Sequence, residues 1–315
     1  MAEQTQLNHI PGHTGARSWR ELNSWDVVLG MVAVLLAVAF CWRSANVTPH
    51  DWNWKALWPY IISYDASGGW RAGMLLQGFF GTLRLGIWSL LVALVSGGLV
   101  GALSARQRGL AAWPAALYIT VLRNTPPLVL LFLVYFFAGS FFTEPFLKVE
   151  DAIASLPAWG QSLCAMFFAP AGQVDRMAAA VLTLGLYSGA YVAEIVRGAL
   201  EAVDKTQWEA SASLGMTGWQ QMRWIIAPQA FRIMAPPLTG QCISVFKETA
   251  LASAISLPEL TFQSLEVMAV SRMTFELWLV TAAMYLGVSC FWAFLGRRWE
   301  RSGTVRRVVS RCKHG

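Results

Sequence analysis

The residues whose chemistry stands out are charged side chains set inside apolar runs: Arg123, Glu194, Lys247 and Glu248, with Gln241 and Ser244 on the same helical face as Glu248. An ionisable group at the centre of a bilayer costs at least about 2.5–3.5 kcal/mol on insertion scales, so such groups face protein or a water-filled path. Arg123 stands ten residues from the inner end of its apolar run, about 15 Å at the helical rise. Lys247 and Glu248 stand ten and eleven residues beyond Pro237, which places them at a comparable depth. Glu194 is shallower. Two readings stay open: Arg123 and Glu248 form a structural ion pair, or they line a solute route together with Lys247. No other chemistry is visible. The four histidines (His9, His13, His50, His314) lie in polar stretches without ligand spacing. The five cysteines are scattered and suggest neither a metal site nor a disulfide framework. There is no Walker A pattern and no nucleophile–base arrangement. The chain is therefore expected to be non-catalytic, with no metal and no cofactor.

The elements that position these charges are membrane helices. Of 315 residues, 56% are hydrophobic and only 13% charged, a composition unlike that of an ordinary soluble domain. Sixteen tryptophans suit a protein with two membrane–water interfaces. A span needs about 20 apolar residues. Six runs qualify or nearly so: 25–42 (short), Gly81–Ala105, Trp113–Ala138, Met177–Ala199, Pro236–Ile255 and Phe275–Leu295. The spacing Gly97-x-x-x-Gly101 favours close helix packing. Arg123-Asn-Thr-Pro126-Pro127 interrupts its span, and the freed carbonyls must be satisfied inside the protein. Pro236-Pro237 reads as the opening of a helix. Residues 43–76, rich in Trp and Pro, read as a segment on the outer interface, and 139–175 as a long loop. Residues 1–24 read as a cytoplasmic tail and 302–315 as a basic one.

Charge sets the orientation. Arg17, Arg20, Arg106, Arg108, Arg197, Lys205, Arg223, Arg232 and the C-terminal arginines fall on one side. The other side holds fewer basic residues, with acidic ones between Asp51 and Glu266. Basic loops stay inside, so both termini are expected in the cytoplasm. The net charge of +6 is concentrated in these loops and the tail, which argues against nucleic acid as a partner and for a membrane surface.

A polar insert, 204–228, separates two apolar runs on the inner side. Thr206-x-x-Glu209 and Thr217-x-x-Gln220 each read as a capping box. Gly215 between them supplies a left-handed stop, and Pro228 ends the second helix. Two short helices around a tight turn make a stiff protrusion suited to docking.

The same residues carry a resemblance. Glu209-Ala210-Ser211, three residues, Gly215, nine residues, then Ile225-Ile226-Ala227-Pro228 resembles the EAA loop of ABC importer permeases. Ser211 and Ala227 depart from that pattern, standing where the family has Ala and Leu. Arg123-Asn-Thr-Pro126, the stretch Tyr191 to Gly198 and the stretch Phe246 to Ser253 are similar to the polar amino-acid permease branch, and the likeness spans 77–301. The resemblance implies an all-α polytopic membrane protein with a five-helix type I importer core, residues 25–42 being an added helix. It implies contact of the 204–228 loop, through Thr206, Glu209, Ala210, Gly215, Thr217 and Pro228, with cytoplasmic ATPases. It further implies a bacterial inner-membrane assembly of a second permease (a copy or a paralogue), two ATP-binding subunits and an external solute-binding protein. An importer of another small solute and an ATP-independent secondary transporter remain the alternatives. The latter has no use for a capped cytoplasmic protrusion.

Overall fold

The computed structural model describes residues 52–64, 69–105, 112–271 and 273–302, with scattered residues between 28 and 43. The tails at 1–24 and 303–315, most of the expected span at 25–42 and the basic turn of Arg106 and Arg108 lie outside the described residues. The chain divides into two units, Met1–Trp52 and Asn53–Gly315, and the second carries the fold that follows.

The order is α1 (Trp54–Ile61), a hairpin of β1 (Ile62–Tyr64) and β2 (Trp70–Ala72), α2 (Met74–Ala105), α3 (Ala112–Asn124), α4 (Pro127–Phe132) with a π segment (Leu133–Ala138), α5 (Gly139–Ala154) and α6 (Ala158–Phe167). Then come α7 (Val174–Glu201), α8 (Lys205–Ser213), α9 (Gly218–Gln221), a π segment (Met222–Ile226), α10 (Ala227–Glu248), a 3-10 segment (Thr249–Ile255), α11 (Leu260–Ser271) and α12 (Thr274–Ser302). The hairpin is antiparallel, with Ile62 opposite Ala72 and Tyr64 opposite Trp70.

Among the described residues α2, α7 and α12 are long and apolar enough to cross a membrane; the bent pair α3–α4 makes a fourth if counted as one span. The six spans read from hydropathy are thus not all reproduced, because α10 is too polar and 25–42 is mostly not described. The apolar stretch of α7 is 72% buried, against 17% for that of α12. The central helix is α7. It runs in the same direction as α2, and Gly97 is what lets them touch. A Cβ there would meet the Gly189 carbonyl at 2.6 Å and the Val192 Cβ at 2.5 Å; Gly101 packs likewise on Ala193 and Val196.

The structure differs from the expected elements at three places. Residues 139–175 are largely the helices α5 and α6 rather than a loop. Pro236 and Pro237 lie inside α10, not at its start. And α9 does not end at Pro228: it continues through the π segment into α10. The π turn closes with the Ala227 N–H donating to the Met222 carbonyl, a wider loop that lets the helix pass Pro228, which has no N–H to give.

The helix break at Pro126-Pro127 is as sharp as its prolines suggest: the segments on either side are bent by 108°. Pro126 is extended (φ −57°, ψ 133°), as a residue before proline tends to be. Carbonyls near the break are satisfied locally, Asn124 Nδ2 donating to Thr120 O at 2.7 Å and Thr125 Oγ1 to Val121 O at 2.8 Å.

Candidate functional site

The protrusion begins slightly earlier than its motif suggests. Asp204, not Thr206, is the N-cap of α8; its carboxylate accepts the Thr206 N–H at 2.9 Å. That hydrogen bond holds the Asp204 carboxyl below its ordinary range. Thr206 and Glu209 are exposed residues within α8 rather than cap and partner. At α9 the capping box read from the sequence is present. Thr217 Oγ1 accepts the Gln220 N–H at 3.4 Å, and Gln220 Oε1 accepts the Thr217 N–H at 2.8 Å. Gly215 sits at φ +74°, and a Cβ added to it would meet nothing within 4 Å, so the turn needs glycine for its backbone and not for space. Ser211 is 1% exposed, and its hydroxyl donates to Trp208 O. A small residue is required there, and serine meets the requirement by bonding back to its own helix.

Two features decide what this element can do. Its base is locked: Ala199, Leu200, Val203, Ile226 and Ala230 form one buried cluster, with Trp208, Met222 and Ile225 packed on it. Gln229 Nε2 adds a bridge to Gln207 across the two arms. Its tip is bare: Leu214 is 79% exposed and Trp219 71%, while Glu209 and Ala210 are exposed beside them. The base of this element is buried against α7 and continuous with α10, so the bare tip is tied rigidly to both helices.

The charges within the bundle converge on α7. Arg123 pairs with Glu194 at 3.7 Å and lies over the Tyr191 ring at 5.2 Å. Glu194 also holds Arg197, which in turn reaches Glu201 at 3.0 Å. Of these groups Glu194 and Arg197 border an open cleft of about 320 Å³, with Ser104, Ala116, Ile119 and Thr120. Glu248 is elsewhere, accepting from the Ser188 hydroxyl at 3.0 Å. The Arg123–Glu248 pair considered from depth is therefore absent, and Glu194 takes that place. Ser188 and Glu194 are six residues apart on α7, about 9 Å. Lys247 is exposed and Gln241 half-buried on α10. The sequence pattern does not single out Arg84, Ser188 or the buried carboxylate Glu259. A charge in the apolar run 81–105 was the available signal for the first.

The profile of the family described as "Binding-protein-dependent transport system inner membrane component" matches residues 93–301, a stretch that contains the protrusion, the broken helix and the α7 charges. The chain belongs to that family. As an inner membrane component it is a helical permease subunit of an ABC importer and is itself non-catalytic. Among the family's curated members it is 31% identical over 255 residues to the glutamine transport system permease protein GlnP of Escherichia coli (strain K12), covering 80% of this chain and 97% of that protein. It is 34% identical over 186 residues to YckA of Bacillus subtilis (strain 168), a probable amino-acid ABC transporter permease, covering 59% and 70%. Among solved structures it is similar to an amino acid ABC transporter crystallised with histidines, at a TM-score of 0.58, 29% identity and coverage of 73% and 94%. The methionine transporter MetNI, at 18% identity and a TM-score of 0.58, shares the fold.

Proposed function

We propose that this permease subunit carries polar amino acids inward, driven by ATP hydrolysed in two cytoplasmic partner subunits. A second permease subunit and an external solute-binding protein complete the assembly. Both termini and the 204–228 protrusion face the cytoplasm. The observation that carries the proposal is the protrusion's division into a bare apolar tip and a base buried against α7 and α10. Likeness to a glutamine permease over nearly all of that protein's length supports the solute class.

In this reading the ATPase pair closes on ATP and moves the protrusion as a body. Glu209, Ala210, Gly215 and Trp219 lie at or near the contact, while Thr206, Thr217 and Pro228 shape the element behind it. The tip must bind the two ATPase states with different affinity, since only a difference shifts the conformational equilibrium. The broken helix α3–α4 and the polar helix α10 line the route. Arg123, held by Glu194, with Glu248, Gln241 and Lys247 on α10, sets its electrostatics. The test is to purify the subunit with its genetic neighbours, identify the partners by mass and screen amino acids in proteoliposomes. An ATPase partner and stimulation by a polar amino acid are expected. Recovery without an ATPase, or uptake indifferent to ATP, overturns the proposal.

A further inference from the structure

A second basic station lies at the far end of α7. Arg176 is in the first turn of α7, 25 residues before Glu201, about 37 Å from the protrusion's end of that helix. Arg84 of α2 is at the same end, where it shares a cavity of about 10 Å³ with Gln173, Phe168, Leu257 and Pro258. These two arginines flank the turn that joins the 3-10 segment to α11. Ser256 in that turn has φ 57°, unusual for a residue other than glycine, and its carbonyl accepts from Arg176 Nη1 at 3.0 Å.

The guanidinium Nε of Arg84 and that of Arg176 are both buried without a hydrogen-bond partner. Arg84 has no hydrogen bond and no ion pair among the described residues. The carboxylate adjoining the turn, Glu259, is not available to it. Glu259 is fully buried and already accepts from Thr82 Oγ1, Tyr285 Oη and the N–H groups of Thr261 and Phe262. This contrasts with Arg123 and Arg197, whose charges are met by Glu194 and Glu201. A partly desolvated guanidinium without a partner is costly, and its planar fork fits a carboxylate. The cavity beside Arg84 holds about one water, room for a carboxylate oxygen but not for a whole solute.

We propose that Arg84, with Gln173 beside it, receives the carboxylate of the transported solute at the end of the bundle opposite the protrusion, Arg176 bracing the turn that shapes the site. This rests on the amino-acid importer reading. The solute's carboxylate is held there before it reaches the Arg123–Glu194 level, about 27 Å further along α7 as counted from Arg176 to Glu194.

The experiment uses the complete reconstituted complex with glutamine as probe and compares wild type with Arg84→Gln and Arg84→Lys. Equilibrium binding of labelled glutamine to the detergent-purified permease–ATPase complex, without the solute-binding protein, is read in parallel. The expected result is at least a tenfold loss of binding and of uptake for Arg84→Gln and a smaller loss for Arg84→Lys. Subunit recovery and the thermal unfolding midpoint of both variants should match wild type. Binding and uptake by Arg84→Gln within twofold of wild type overturns the site. So does loss of subunit recovery in both variants, which makes Arg84 a structural or subunit-contact residue. If wild type itself takes up no amino acid, the importer reading fails first and takes the site with it.

Discussion

Replacing Gly215 separates backbone strain from crowding as the reason for a glycine in the turn between α8 and α9. The residue lies at φ +74°, and a Cβ built there meets no atom within 4 Å. Gly215→Ala therefore costs only the left-handed conformation, about 1–2 kcal/mol. Gly215→Asn costs less, because Asn visits this region readily, and Gly215→Val costs more, because a β-branched residue is a genuine outlier there. A cost of 1–2 kcal/mol changes the population of the native turn by a factor of about 5–30. The turn joins α8 to α9, so its loss unhinges the tip while leaving the buried base intact. The assay is the number of solute molecules taken up per ATP hydrolysed in proteoliposomes. The expected order is Gly, then Asn, then Ala, then Val, with ATPase recovery unchanged in the Asn and Ala variants. Equal coupling in all four, or Asn and Val behaving alike, refutes the strain argument.

The remaining predictions concern the base, the caps and the charges. Ile226 is fully buried in the cluster under the protrusion, so Ile226→Ala should destabilise the subunit by about 2–5 kcal/mol, read as a lowered unfolding midpoint in detergent. Thr217→Ala removes one half of the capping box at about 1 kcal/mol and should speed hydrogen exchange at the Gln220 amide while leaving the Ala230 amide protected. The Asp204 carboxyl is held below its ordinary range by the Thr206 N–H. Its contribution to α8 is thus present above the ordinary Asp value, near 3.9, and is lost as pH falls through the depressed one. Protection of the first turn of α8 should fall with acidification in wild type and become insensitive to this step in Asp204→Asn. Glu194→Gln removes the carboxylate shared by Arg123 and Arg197 and should reduce uptake several-fold, whereas Glu201→Gln, at the edge of the same network, should change it by less than twofold.

How much of this was legible in the sequence depends on how local each determinant is. The Thr217 box and the Gly215 turn are set by residues within a few positions of each other, and both stand in the structure. Thr206 failed for an equally local reason. Asp204, two residues earlier, offers a stronger acceptor, and α8 starts from it instead. The Arg123 partner lies out of reach of a depth count that starts at Pro237. The continuation of α9 into α10 moves the helix start from Pro236 back to Ala227 and beyond, so Glu248 stands 21 residues past Ala227 rather than eleven past Pro237. A proline pair reads as a boundary in sequence. Whether it breaks a helix, as at 126–127, or is carried inside one, as at 236–237, is decided by what packs around it. The Gly97-x-x-x-Gly101 spacing announces a close helix contact in the sequence, and the structure has it; that α7 is the partner, and that Ser188 meets Glu248, belongs to tertiary structure.

The most direct test of the account is photo-cross-linking from position 214, at the exposed tip of the protrusion, in assembled complexes within inverted membrane vesicles. A photoreactive residue there should join the ATPase subunit, with a yield that changes between the ATP-bound and nucleotide-free states. An adduct with the external solute-binding protein, or the absence of any ATPase adduct in an active complex, would contradict the claim that this element carries force from the motor to α7 and α10.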